Sequence, residues 1–111
     1  MGKSRNPYLG RWRIIEMEMW DQDYVDLVTE GHFTFGKDGF GNFQFGAVVG
    51  ETDYSIEELG TTERVEFSFE GQDEYDPVFG RGWVIIEHDT LKGKIFFHAG
   101  DESEFKAKKT K

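Results

Sequence analysis

The side chains in this chain that could do chemistry are carboxylates and histidines. "EGQDEYDP", residues 70–77, gathers Glu70, Asp73, Glu74 and Asp76 into one acidic stretch. Hard oxygen ligands at such spacing suit a calcium ion. The alternating Asp and the central Gly of an EF-hand loop are missing, however. The loop 70–76 therefore reads as solvated, closed by Pro77, and no metal is assigned to it. Glu16 and Glu18 suit acid–base work only in a water-poor cleft. On the phase of Trp12 and Ile14 they would point inward. The adjacent Ile14 and Ile15 argue for a β-bulge instead, which turns Ile15, Met17 and Met19 inward and leaves both acids in water. His32, His88 and His98 are the three histidines. A three-residue turn between strands at 79–87 and 91–98 would put His98 near Gly82 and His88 at the turn, too far apart to share a metal, and all three read as surface side chains. No catalytic residue, metal or cofactor is assigned.

Those residues hang on strands. "HFTFGKDGFGNFQFG", residues 32–46, holds five of the chain's 11 phenylalanines. Side chains on a strand alternate with period two, so Phe33 and Phe35 share one face, as do Phe43 and Phe45. A two-residue loop would set these faces on opposite sides of the hairpin. A three-residue loop of Lys37, Asp38 and Gly39 brings Phe33 opposite Phe43 and Phe35 opposite Gly41, with Gly39 supplying the left-handed residue. The outward side chains are then His32, Thr34, Asn42 and Gln44. "RVEFSFEG" repeats the alternation with Val65, Phe67 and Phe69 against Arg64, Glu66, Ser68 and Glu70. Further strands are expected from Trp12 onward, at 51–58 with Tyr54 and Ile56, at 79–87, at 91–98, and at 102–108 with Phe105 and Ala107, making eight. The one helical signal is 21–28, where Trp20, Tyr24, Leu27 and Val28 fall at helical spacing. Asp21 is its N-cap, Trp20 and Val25 can staple the cap, and Gly31 can end it.

Composition narrows the function classes. A chain of 111 residues is one domain, 1–111, with ends expected to fray at 1–8 and 108–111. It has no cysteine, which rules out a disulfide framework and thiolate chemistry. No run of apolar residues is long enough to span a bilayer, and "MGKSRNPYLG" lacks the apolar stretch of a secretion signal, so the expected location is cytoplasmic, away from the membrane. Asn6 stands where a myristoyl acceptor motif needs Ser or Thr. Net charge is −9, with basic residues gathered at both ends; residues 14–104 carry five Lys or Arg against 22 Asp or Glu, a net of −17. Such a body repels phosphate backbones, which argues against nucleic acid.

Eight short strands, one helix and glycine turns predict an all-β fold: an antiparallel up-and-down meander closing into a small barrel, with the helix between its first and second strands. An interior of that size is just wide enough for side chains or one small ligand. The volume of the inward aromatics favours a filled core over a large cavity. "LGRWRI" then becomes informative. Its Gly10-x-Trp12 on the first strand, followed by a short helix and a meander, resembles the calycin group of lipocalins, avidins and fatty-acid-binding proteins. That resemblance implies that Trp12 packs across the base of the barrel and that an apolar small molecule is held inside. Over its whole length the chain is also similar to small bacterial proteins of unknown function, which implies no chemistry.

Two functional expectations follow, neither of them catalytic. A binding module would hold a small apolar ligand near Trp12, Tyr54 and Trp83, lidded by Trp20 and Tyr24. Alternatively, a filled barrel would act as an interaction module. Val84, Ile86 and Phe96 would form its homodimer interface, because strand 79–87 carries bulky apolar groups on both faces. An isomerase-type small barrel comes third, without a nameable acid–base pair.

Overall fold

Alternation and turn chemistry act together in the Phe-rich hairpin. In the computed structural model, which describes residues 6–110, β2 (His32–Phe35) and β3 (Phe40–Phe45) pair with Phe33 opposite Phe43 and Phe35 opposite Gly41. The loop is Lys37, Asp38 and Gly39: the Gly36 N–H donates to the Phe40 carbonyl at 2.8 Å, and Gly39 takes a φ of 89°. Around this hairpin run β1 (Gly10–Met17), β4 (Val48–Leu59), β5 (Thr62–Asp73), β6 (Asp76–Glu87), β7 (Thr90–Phe97) and β8 (Glu102–Lys109). Every strand is antiparallel to its neighbours in sequence, and β1 closes on β8. The result is the all-β, eight-stranded closed barrel that the pattern predicts, with one short helix, α1 (Gln22–Val25), between β1 and β2. No described helix is long and apolar enough to cross a membrane.

Closure depends on a phase change in β1. Gly10–Arg13 pair with β2 and Trp12–Met17 with β8, and the register with β8 slips between Ile14 and Glu16. Trp12, Ile14 and Met17 are consequently buried, whereas Ile15 and Met19 are 39% and 51% exposed. The bulge thus turns only Met17 inward. The unpaired residue at a bulge is absorbed on the outside, so Ile15 and Glu16 both face water.

Other expectations are corrected by pairing. Residues 70–76 do not form a loop: β5 runs through Asp73, β6 starts at Asp76, and only Glu74 and Tyr75 make the turn. Pro77 pairs with Gln72 beyond the point where β7 joins β6, so its missing N–H interrupts no ladder on the other side. The β6–β7 turn has two residues, not three. His88 and Asp89 occupy it at φ 52° and 67°, which places Gly82 opposite Ile95. The phase of β6 is settled by that register: Val84 is fully buried, while Trp83 and Ile85 face outward.

The interior is a contact network of rings. Phe33 stacks on Phe105 at 4.7 Å between centroids and meets Phe43 at 5.0 Å and Phe67 at 5.6 Å, so one side chain touches three other strands. Phe69 meets Phe43 at 5.1 Å and Phe97 at 5.4 Å. Large rings fit because several face glycine across the ladder: Phe43 opposite Gly50, Phe67 opposite Gly82, Phe69 opposite Gly80 and Phe105 opposite Gly93.

Both mouths are stopped. At one, Tyr8 is buried edge-on to Phe35, and its carbonyl accepts from the Trp12 indole at 2.9 Å. Lys109 crosses the Trp12 ring at 4.9 Å and donates to the Leu9 carbonyl. Of the ends expected to fray, Tyr8, Lys108 and Lys109 are thus held by contacts or pairing, and residues 1–5 and 111 lie outside the described residues. The other mouth carries α1. It spans four residues rather than eight, capped by Asp21, whose carboxylate accepts from the Tyr24 N–H. Val25 is fully buried, while Leu27 and Val28 are exposed. The chain leaves the helix at Asp26, whose carboxylate accepts from Gly31 N–H at 2.8 Å, the Gln22 amide at 3.0 Å and the Arg13 guanidinium at 3.3 Å.

Two outcomes are expected. An added Cβ at Gly50 would lie 2.4 Å from the Phe43 ring, so Gly50→Ala should cost about 1–3 kcal/mol in urea unfolding. That cost should shrink when Phe43→Leu is also present, because the two positions share one space. Burial pulls the Asp26 pKa up, but the Gly31 N–H, the Gln22 amide and Arg13 outweigh it and hold the carboxyl below its ordinary range. A depressed folded-state pKa contributes stability above about pH 4 and loses it as pH falls further. Asp26→Ala should therefore cost about 1–2 kcal/mol at pH 7, and the gap from the natural protein should close in acid unfolding.

Candidate functional site

The five residues expected to line an internal pocket do not share one. Trp12 and Tyr54 are buried core side chains at the Tyr8 mouth, where the Tyr54 hydroxyl donates to the Gly36 carbonyl. Trp20 and Tyr24 pack at the other mouth: Trp20 lies 5.0 Å from Phe45 and 6.1 Å from Phe97, and the Tyr24 hydroxyl accepts from the Ala47 N–H. Trp83 is on the outer wall. The expected interface residues divide as well. Val84 points into the core and Ile86 packs against it, which leaves Phe96 on the outside. The physical reason is the two-residue His88–Asp89 turn, which fixes which half of β6 faces in.

Glu16, Glu18, His32 and His98 each have a structural partner. Glu16 pairs with Lys106 at 3.8 Å, and Glu18 accepts from the Glu104 N–H at 3.1 Å. His32 Nδ1 lies 3.0 Å from the Glu30 carbonyl, and the His98 ring stacks on Phe79 at 4.7 Å. No group of three or more potential metal ligands converges among the described residues.

Chemistry collects on the outer face of β4–β7. Outward side chains stand in register there: Glu51 opposite Glu70 opposite Phe79; Asp53, Ser68, Arg81 and Phe96 across four strands; then Ser55, Glu66, Trp83 and Lys94; and finally Glu57 with Arg64, and Ile85 with Lys92. The face is split by charge. The β4–β5 half carries Glu51, Asp53, Glu57, Glu66 and Glu70, with only Arg64 against them. The β6–β7 half carries Arg81, Lys92 and Lys94 against Glu87, so three of the five basic residues within 14–104 lie there.

Aromatic rings mark the seam and the basic half. Arg81 lies 4.5 Å over the Phe96 ring and Lys94 at 5.1 Å, while Arg64 lies 5.5 Å from Trp83. These cations cover the outer faces of the rings, and Trp83 and Phe96 stay half-buried beneath them. Phe79 is 55% exposed despite its His98 stack, and Val49 and Tyr75 are exposed beside it. Glu51 and Glu70 are like charges directly opposite, an unfavourable cross-strand pair. Neither they nor Asp53 make an ion pair among the described residues, whereas Glu66 pairs with Arg64 at 2.7 Å and Lys92 with Glu87 at 2.6 Å.

Shape follows the same wall. A cleft of about 610 Å³ opens between Val49, Glu51, Glu70, Gln72 and Phe79, and another of about 520 Å³ between Phe40, Asp53, Ser68 and Phe79. A smaller one lies between Arg64, Arg81, Trp83 and Phe96. A further cleft opens where β6–β8 meet β1, between Glu16, Ile85, Lys92 and Lys106. Sequence reasoning did not assign Glu51, Asp53, Phe79 or Arg81 a role. Their signal was present as outward positions on 12-residue strands, but it is readable only once register says which residues are neighbours.

Comparison with protein-family models, curated proteins and solved structures finds no match for this chain.

The inward and outward positions make opposite demands on a charge. Val84→Asp should bury an unpaired carboxylate and cost more than about 3 kcal/mol. Phe96→Asp, on the wall, should leave the unfolding free energy within about 1 kcal/mol of the natural protein's. Parallel urea titrations of the two variants check this.

Proposed function

We propose that the protein is a non-catalytic interaction module, a filled barrel that works through the outer face of β4–β7. The observation that carries this reading is the division of the aromatics. Inside, the rings pack against one another; outside, Phe79, Trp83 and Phe96 stand on a charge-split wall beside three clefts. Contiguous apolar surface rimmed by charge is the usual mark of a docking site.

A small apolar ligand inside the barrel would have to part Phe33 from Phe43, Phe67 and Phe105 and open a mouth blocked by Tyr8 or by α1. Among the described residues the buried side chains that carry a hydroxyl are Tyr8, Thr52, Tyr54 and Ser103, and none of the buried side chains is a carboxylate, histidine or lysine. An interior without a group that serves as base at neutral pH favours binding over catalysis. The calycin likeness is part of the proposal as an architecture. It is supported by Gly10-x-Trp12 on β1, the burial of Trp12 across the Tyr8 mouth and the short helix after β1. The reading takes the protein to act in the cytoplasm.

A photoreactive benzophenone side chain placed at position 79 or 96, and at Thr34 on the β2 wall as a control, tests the proposal in cells that make the protein. Discrete adducts from 79 and 96 but not from 34 are expected. Adducts from 34 alone, or none from any position, would overturn it.

A further inference from the structure

We infer that the partner of this face is a protein segment with lysine or arginine on either side of an apolar residue, lying along β5 in the cleft between β4 and β6. This inference rests on the docking-face reading above and names the chemistry of its occupant.

Adjacent strands build the cleft. Its outward side chains stand in two neighbouring rows, Val49–Gln72–Pro77 and Glu51–Glu70–Phe79, with β4 as one wall, β5 as the floor and β6 as the other wall. Strands about 4.8 Å apart set the walls about 10 Å from each other, the width of one extended chain with its side chains. At about 610 Å³ the space has the size of a ligand cleft. Both walls offer apolar surface to water, since Val49 is 45% and Phe79 55% exposed. They are also held in place. The Phe79 ring stacks on His98 and its carbonyl accepts from the His98 N–H at 2.8 Å, while the Glu74 N–H donates to the Ala47 carbonyl at 3.3 Å and ties the β5–β6 turn to the start of β4. Fixed walls spare a bound anchor side chain the cost of ordering them.

Charge selects the occupant. Glu51 and Glu70 oppose each other directly, Glu74 lines the same cleft, and none of the three makes an ion pair among the described residues. A cation laid over the like-charged pair relieves it. The acids are strung along the groove, and no group of three or more potential metal ligands converges among the described residues. Spaced cations suit that arrangement better than one ion. Glu70 and Glu74 lie up to about 13 Å apart along an extended backbone, which leaves room for an apolar residue over Val49 and Phe79 between two basic ones. Strand addition is closed to such a segment beside the cleft, because β6 pairs with β7 only from Gly80 onward and Pro77 offers no N–H on the open edge. Side chains therefore carry the contact, and a net charge of −9 draws a basic partner in from a distance.

Fluorescence anisotropy of a labelled peptide of sequence KKLLLKK tests the inference. The peptide should bind the natural chain, and Glu51→Gln with Glu70→Gln should weaken binding about tenfold. Phe79→Ala should weaken it by about the same factor through loss of the apolar wall. Glu57→Gln with Glu63→Gln, the same change of charge at the far end of β4 and β5, should leave affinity within about twofold because salt screens it. Urea unfolding of each variant shows that it is folded. Equal weakening by the two double variants would reduce the attraction to net charge and overturn the inference. So would a peptide that fails to bind at about 1 mM, or an acidic analogue, EELLLEE, that binds as well. Displacement of the peptide by an equal concentration of spermidine would give the cleft to a small polyamine and overturn the protein-segment assignment. Any of these failures, joined with discrete adducts from 79 and 96, would leave the docking-face reading standing; adducts from 34 alone would overturn that reading and the inference with it.

Discussion

Ring volume against barrel width is the constraint on which the rest of this structure depends. An eight-stranded interior has room for packed side chains and little else, and this chain sends a phenylalanine inward from most of its strands. Cross-strand neighbours on the same face stand about 5 Å apart, too close for two large rings at every level. The conflict is resolved by opposing ring to glycine: Phe43 to Gly50, Phe67 to Gly82, Phe69 to Gly80 and Phe105 to Gly93. Each ring then lies over its partner's backbone, and the freed space admits the next ring from across the barrel. Glycine weakens a strand in isolation, so stability shifts from backbone propensity to the ring network. The same exchange makes the core intolerant of an added methyl group.

A core filled in this way imposes its own requirements at the mouths. Rings at the two ends would meet water unless something covered them, and the chain covers each with the segment nearest to hand. Tyr8 arrives just before β1 and is held by the Trp12 indole and the Lys109 crossing. At the far mouth the four residues of α1 and the Trp20 ring, packed on Phe45 and Phe97, form the cover. Gly46, at φ 57°, brings its backbone against the Tyr24 ring, where a Cβ would lie 2.3 Å from it. Trp20 and Tyr24 belong to this stopper; they seal the rings beneath them and are fastened to the strand that follows.

Much of this was legible because alternation and turn chemistry are local. The 32–46 hairpin, the bulge after Ile14, the Asp21 cap and the eight-strand count all follow from neighbours within a few residues. The errors share the opposite origin. Leu27 and Val28 have helical spacing, but the helix ends at Asp26, whose carboxylate is held by Gly31 and by Arg13 of β1, contacts that periodicity does not encode. The acidic run at 70–76 has a loop's composition, yet β5 and β6 pair through it because both continue beyond the body of the barrel. "GWVII" is apolar on both faces, so the pattern leaves the phase of 79–87 open and Val84 faces outward only in the dimer reading. Its phase came from a turn of His88 and Asp89, residues that seldom take the two positive φ values such a turn requires. The outer face was the least legible part, since the residues of one row are far apart in sequence, as Asp53, Ser68, Arg81 and Phe96 are.

The outer wall also explains why apolar residues there do not make the protein read as an aggregating sheet. Closure removes free edges from the body of the barrel, leaving side chains rather than backbone to decide association. Where β4, β5 and β6 outrun their neighbours, Glu57, Glu58 and Glu63 crowd one hairpin end and Asp73, Glu74 and Asp76 the other, so strand addition at the tips meets repulsion. Between those guarded tips the wall changes character, with cations set over Phe96 and Trp83 and two acids opposed without a counter-charge. Solubility alone would be served by continuing the acids across β6 and β7. Their replacement by Arg81, Lys92 and Lys94, next to exposed Phe79, changes the charge of the wall partway across it, and that change is what the proposed docking face rests on.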